Sequence, residues 1–152
     1  MRSTSTTLRA ALLLTAFLFD CGAALAQSGP IGLWRNFDDD SGKPRAEIRI
    51  TETGGVLSGR IVRSLAPDPA KEEPNCSKCS DDRKGQPIAG LEIIRGAKSV
   101  ASSGWWEEGT ILDPDNGKTY RLKLRANDDG KTLLIRGFIG PFYRTQTWER
   151  VQ

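Results

Sequence analysis

Tyr120-Arg121-Leu122-Lys123-Leu124-Arg125 alternates apolar and cationic residues, the pattern of a strand with one face in a core and the other in water. Strong turn chemistry bounds it on both sides. Asp113-Pro114-Asp115-Asn116-Gly117 precedes it, where proline presets φ and Asn-Gly tolerates positive φ. Asn127-Asp128-Asp129-Gly130 follows and reads as a hairpin turn. This segment is therefore one member of a run of short strands joined by hairpins.

The same pattern extends both ways. Residues 105–112 form the preceding strand, and 133–139 and 143–151 complete the chain. Upstream, 32–37 is a first strand, closed by the turn cluster Asp38-Asp39-Asp40-Ser41-Gly42. Residues 46–51 alternate cleanly, and Gly54-Gly55 turns the chain into 56–63. Residues 88–97 carry two signals: Ile88, Leu91 and Ile94 fit a helix turn, whereas Leu91-Glu92-Ile93 alternates as a strand, which the neighbouring pattern favours. The sum is about eight strands with no internal repeat. The expected fold is all-β: a single antiparallel up-and-down β-barrel, whose closure removes exposed edges. Gly59, Gly104, Gly109 and Gly137, within or beside strands, mark bends. The polar stretch 66–86 interrupts the pattern. A connection of about 20 residues is a functional loop, a lid or a disordered segment.

The first 26 residues read as a cleaved signal peptide. Arg2 and Arg9 supply a positive start, residues 10–19 are apolar, and Ala24-Leu25-Ala26 is a small-x-small cleavage site. The apolar run ends at Asp20, short of the roughly 20 residues of a membrane-spanning helix. Lipidation at Cys21 is disfavoured by Asp20 just before it. The expected mature protein is one domain, 27–152, in the periplasm or secreted, with no membrane span. Leaving out Arg2, Arg9 and Asp20, it carries 20 cationic and 18 acidic residues. Both signs interleave along the chain, so we expect a mixed solvated surface and no nucleic-acid footprint.

The chain contains no histidine. That removes Ser-His-Asp and Cys-His nucleophiles, histidine bases and histidine-containing metal or haem sites. No catalytic constellation can be assembled, so a non-enzymatic protein without a cofactor is expected. Cys76 and Cys79 remain after cleavage. In an oxidising compartment a disulfide is the default, and a redox or metal role is the alternative. One Cys-x-x-Cys supplies two of the four ligands a structural zinc needs, and no βαβ pattern surrounds it. Asp38-Asp39-Asp40 and Asp113-x-Asp115 lie in turns, lack the glutamate at position twelve of an EF-hand calcium loop, and read as turn chemistry. Glu107 and Glu108 are adjacent on a strand and point to opposite faces. Trp34, Trp105, Trp106 and Trp148 either fill a core or line a cavity, since an eight-stranded barrel sits at the size where both occur. If Trp148 faces inward, Arg144, Gln146 and Arg150 share its side. A buried arginine there needs a carboxylate, from the protein or from a ligand.

An ordered set of motifs resembles a known family. Gly59-Arg60-Ile61-Val62, Cys76-x-x-Cys79 and Lys84-Gly85-Gln86-Pro87-Ile88-x-Gly90-Leu91 come first. Gly109-Thr110-Ile111-Leu112-Asp113-Pro114, Asn116-Gly117-Lys118-Thr119-Tyr120, Arg136-Gly137-Phe138-Ile139-Gly140 and Arg144-Thr145-Gln146-Thr147-Trp148-Glu149-Arg150 follow. Together they resemble the domain of unknown function (DUF) 2147 family of small exported bacterial proteins, over about residues 31–151. The resemblance implies a lipocalin-like barrel and no catalytic residues. Gly32-Leu33-Trp34 is also similar to the lipocalin G-x-W signature, in which an arginine from the end of the barrel covers the tryptophan. Arg150 is placed for that role, so Trp34 and Arg150 are expected to close the barrel.

The leading functional expectation is a protein that holds a small hydrophobic or amphipathic ligand in the barrel, lined by Trp106, Tyr120, Arg144 and Gln146. The second is an envelope accessory protein with a filled barrel, acting on a protein partner through residues 66–86. An empty cavity of about 300 Å³ or more with convergent polar groups separates the first from the second.

Overall fold

Each pair of turn signals brackets a strand in the computed structural model, which describes residues 29–152. The strands are β1 (Gly32–Phe37), β2 (Pro44–Thr53), β3 (Val56–Ser64), β4 (Glu92–Val100), β5 (Trp105–Asp113), β6 (Lys118–Ala126), β7 (Thr132–Ile139) and β8 (Phe142–Arg150). Every strand pairs antiparallel with the next, and β1 pairs with β8, so the eight form a closed barrel in chain order. The signal segment, its cleavage site and Cys21 lie outside the described residues.

Alternation sets the inside. Tyr120, Leu122 and Leu124 of β6 pair with Ile111, Gly109 and Trp106 of β5. On the other side Leu122 and Leu124 pair with Gly137 and Ile135 of β7, which pair in turn with Arg144 and Gln146 of β8. Partners across a ladder share a face, so all these residues face inward. The lower half is filled: Trp34, Ile50, Leu57, Ile94, Leu122, Leu124 and Leu133 are all buried.

The mixed signal at 88–97 has a structural cause. Both signals are real: residues 88–91 form a turn in which Leu91 N–H donates to Ile88 O, the strand β4 begins only at Glu92, and its pairing with β3 shifts register twice, between Leu57 and Ser58 and between Gly59 and Arg60. Such bulges break strict alternation, which lets the consecutive Ile93 and Ile94 both be buried. Gly59 lets β4 approach closely: a Cβ there would stand 3.0 Å from Ile94. A bulge in β5 likewise spoils the alternation expected of Glu107 and Glu108. Glu108 takes φ 63°, and the two carboxylates pair with Lys123 and Lys98.

The long connection 65–91 is fastened to the barrel. Asn75 bridges to Pro87, Cys76 N–H donates to Gln86 O, and Ile88 N–H donates to Pro74 O. Arg83, almost fully buried, pairs with Asp81 and donates to the Glu92 carbonyl and the Thr119 hydroxyl, at 3.1 Å each. Cys76 and Cys79 are joined as a disulfide and are both buried. Replacing both by Ala is expected to cost about 2 kcal/mol, because so short a loop restricts the unfolded chain little. Urea unfolding of the two proteins checks this; a loss twice as large would mean the cross-link carries the loop's packing as well.

Candidate functional site

Hairpins β1–β2, β5–β6 and β7–β8 and the long connection 65–91 all emerge at one end of the barrel. Hairpins β2–β3, β4–β5 and β6–β7 emerge at the other, where residues 29–31 and Arg150 also lie. Arg150 stacks over Trp34, 4.1 Å from the ring centroid. It donates to the carbonyls of Ile31, Gly29 and Gly130. The Trp34 indole N–H donates to Pro30 O at 2.7 Å. This is the closure expected from Gly32-Leu33-Trp34 and Arg150. It seals one end and leaves the other to open.

At that other end lies a cavity of about 920 Å³. Its floor is apolar, built by Ile48, Ile61, Ile93, Ile111, Ile135 and Trp148. Its mouth is mixed: the β1–β2 and β5–β6 turns and Ser77 and Lys78 of the Cys-x-x-Cys segment supply polar groups, and Ile139, Phe142 and Tyr143 of the β7–β8 hairpin supply an apolar side. The upper half of the barrel is therefore not filled, contrary to the filled-barrel expectation. The volume sits near the top of the range for small-molecule sites, and an apolar floor with a few polar groups converging above it is typical of them.

Three of the four residues expected at the lining are there: Tyr120, Arg144 and Gln146. Trp106 is not. It packs half-buried against the filled core, opposite Leu124, whereas β5 reaches the cavity through Ile111 and Leu112, nearer the mouth. At about 3.3 Å per residue, that places Trp106 roughly 15 Å lower along the strand. Alternation puts it on the inside, and only the location of the open end excludes it from the cavity.

Arg144 departs from expectation in another respect. It stands at the mouth with its side chain 68% exposed, so burial does not force it to pair. It pairs nonetheless with Asp39, at 2.8 Å. Gln146 Nε2 donates to the same carboxylate at 2.7 Å, and the Trp148 indole N–H donates to Gln146 Oε1 at 3.1 Å. A polar chain thus runs from the apolar floor to the rim. Local sequence assigns Asp38-Asp39-Asp40 to turn chemistry alone. Asp38 fits that role, accepting from the Ser41 N–H and hydroxyl, bonds that hold its carboxyl below the usual range. Asp39 turns into the mouth. The Asp39–Gln146 contact spans 107 residues and exists only because β1 closes onto β8.

Among the described residues no three of His, Cys, Asp and Glu come together in a way that could hold a metal ion. The strongest carboxylate perturbations lie away from the cavity. Glu47 of β2 sits between Arg63 and Arg35, whose hydrogen bonds hold its carboxyl down at about 2. Hydrogen bonds from Arg83 hold Asp81 at about 2 as well. Both groups ionise more readily in the folded chain. Their contribution is complete above the ordinary carboxylate range, near 4.5 for Glu47, and is lost as pH falls towards about 2. Solvent reaches one member of each pair, the guanidiniums around Glu47 and the carboxylate of Asp81 beside buried Arg83, so each contributes about 1 kcal/mol. Denaturation at stepped pH is expected to show this decline, and Glu47→Gln to flatten it; an unchanged profile in that variant would remove Glu47 as its source.

A solved structure shares the architecture. "Protein HP1028 from the human pathogen Helicobacter pylori belongs to the lipocalin family" superimposes with a TM-score of 0.68 at 15% identity, covering 80% of this chain and 82% of that one. At that identity the likeness is one of fold. No curated protein matches the chain in sequence. The family described as "Uncharacterized protein conserved in bacteria (DUF2147)" matches residues 32–150, from the first residue of β1 to the last of β8. With the whole barrel inside that match, the chain belongs to the DUF2147 family of bacterial proteins, on a lipocalin-like fold.

Proposed function

We propose that the protein binds a small, partly apolar molecule in the open half of its barrel and carries out no chemistry on it. The observation that carries this reading is the cavity itself: about 920 Å³ of space above a filled core, apolar below, with polar groups converging at the rim. An apolar portion would lie against Ile48, Ile111 and Trp148, and a polar end would reach Gln146, Tyr120 and the Asp39–Arg144 pair. The residues of that rim are already hydrogen-bonded to one another, so a polar group entering would exchange partners and leave none unsatisfied.

A fluorescent apolar probe such as anilinonaphthalene sulfonate tests the site. Saturable one-to-one binding is expected, with loss in Ile111→Trp, which fills the floor without changing the strand's character. Saturable binding that survives this change, or none in the unaltered protein, would overturn the reading. Native mass spectrometry of protein taken from its own cells would then identify a resident molecule.

The proposed place of action is outside the cytoplasm, in the periplasm or beyond. Its support is the segment 1–26, with its positive start, short apolar run and Ala24-Leu25-Ala26. Intact mass of the protein in its native cell is expected to give Gln27, or a residue beside it, as the first residue. A retained Met1, or a lipid mass on Cys21, would contradict it.

A further inference from the structure

Strand pairing adds a cation of β7 to the cationic face of β6 on one outer wall. Arg121 and Arg125 of β6 and Arg136 of β7 all face outward. Aromatic rings lie between them. Arg125 and Arg136 flank the Trp105 ring at 4.9 and 4.6 Å. Arg136 also lies 4.9 Å from the Tyr143 ring, Tyr143 packs on Phe138 at 5.5 Å, and Arg121 covers Phe138 at 5.6 Å. Among the described residues none of these three arginines forms an ion pair, although twelve other cation–carboxylate pairs are present. Lys123, between Arg121 and Arg125 on the same face, is neutralised by Glu107 of β5, so the mixed surface expected from the sequence persists there but leaves these three arginines as a cationic surplus.

The wall ends at the β7–β8 hairpin, beside the cavity mouth. Ile139 and Phe142 flank its turn at 66% and 77% exposure, and Tyr143 follows at 56%. These are the most exposed large hydrophobic side chains among the described residues. Arg121 donates to the Gly140 carbonyl at 3.0 Å, tying the cationic wall to the apolar tip.

We propose that this tip and wall dock on a lipid bilayer that carries anionic headgroups. Ile139 and Phe142 would enter the apolar boundary, Tyr143 and Trp105 would sit at headgroup level, and the arginines would meet phosphates. The apolar tip favours a bilayer over a soluble polyanion, which would leave those side chains in water. A second copy of the chain fits poorly, because a two-fold contact would set like charges against each other. Two acidic groups of the mouth near this face are already paired with cations, Asp39 with Arg144 and Asp115 with Arg45. The open mouth then lies next to the bilayer. Ile139, Phe142 and Tyr143 also border the cavity mouth, so the tip is shared with the proposed binding site, whereas the arginine wall is separate from it.

Co-sedimentation of the full mature protein with vesicles tests this. Partitioning is expected onto phosphatidylcholine vesicles containing phosphatidylglycerol, weakened by salt, and not onto phosphatidylcholine alone. Ile139→Ser with Phe142→Ser should lower the partition coefficient about tenfold or more. Arg121→Gln with Arg136→Gln should lower it about 25-fold. Val62→Ser, an exposed apolar residue on β3, should leave it unchanged. If circular dichroism shows that the Arg136 change unfolds the barrel, Arg121→Gln with Arg125→Gln replaces it. Three results would overturn the proposal: no partitioning by the unaltered protein, full partitioning by the tip variant, or release of bound protein by soluble glycerol phosphate.

Discussion

Trp34→Ala is expected to lower stability by about 3–5 kcal/mol, the cost of removing a large side chain from a packed core. Trp34 is completely buried, lies opposite Arg150 across the β1–β8 seam, and has its indole N–H satisfied by Pro30. Its loss would open a void at the sealed end and leave the Pro30 carbonyl without that donor. Much of the roughly 5–15 kcal/mol of an ordinary domain would go with it. Arg150→Ala should cost less, because part of its role is hydrogen bonding to backbone at a partly exposed surface. The two losses should not add, since the guanidinium lies 4.1 Å from the ring it covers. A coupling of about 0.5–2 kcal/mol is expected in a double-mutant cycle read by urea unfolding. Strict additivity would mean that the stack contributes nothing to closure.

Gly117→Ala is expected to cost about 2–5 kcal/mol, from backbone strain and overpacking together. Gly117 takes φ 72°, a conformation L side chains seldom adopt. A Cβ there would also overlap the carbonyl of Lys78, in the Cys-x-x-Cys segment lying across the β5–β6 turn. Lys78 reinforces that contact by donating to the Asp115 carbonyl at 2.7 Å. Gly54 provides the comparison: it has φ 58° but open space where a Cβ would stand, so Gly54→Ala should cost only about 1 kcal/mol. The difference between the two variants isolates the packing of the long connection on the barrel. Because Ser77 and Lys78 border the cavity, probe affinity should fall in Gly117→Ala and hold in Gly54→Ala. Equal costs in the two variants would show that the connection is not fastened at this point.

Trp34 and Gly117 differ in how far sequence reveals their importance. The closure of Trp34 by Arg150 was legible, because Gly32-Leu33-Trp34 and a terminal arginine form a recognisable pair in a barrel. The contact of Gly117 with Lys78 was not. Asn-Gly announces a turn, but nothing local says that another chain segment rests on it.

The candidate site divides in the same way. Alternation on β8 correctly placed Arg144 and Gln146 on the side of Trp148, since side-chain direction along a strand is a local property. It also turned Trp106 inward, yet gave no sign of which end of the barrel was sealed. Nothing local to Asp39 marks its role, which depends on a contact 107 residues away.

Strand positions, turn types and the inward or outward face of most residues follow from local backbone preference and hydrophobic period, which neighbouring residues suffice to specify. The bulges in β4 and β5, the open end with its cavity, the Asp39–Arg144 pair and the arginine–aromatic wall arise from register between strands distant in sequence. Arg121, Arg125 and Arg136 show why. Arg121 and Arg125 share the outward face of β6 by local alternation, but Arg136 lies beyond the acidic 127–130 turn and joins them only when β6 pairs with β7. Pairing register is set by closure of the whole barrel, so charge that interleaves along the chain can still collect on one wall.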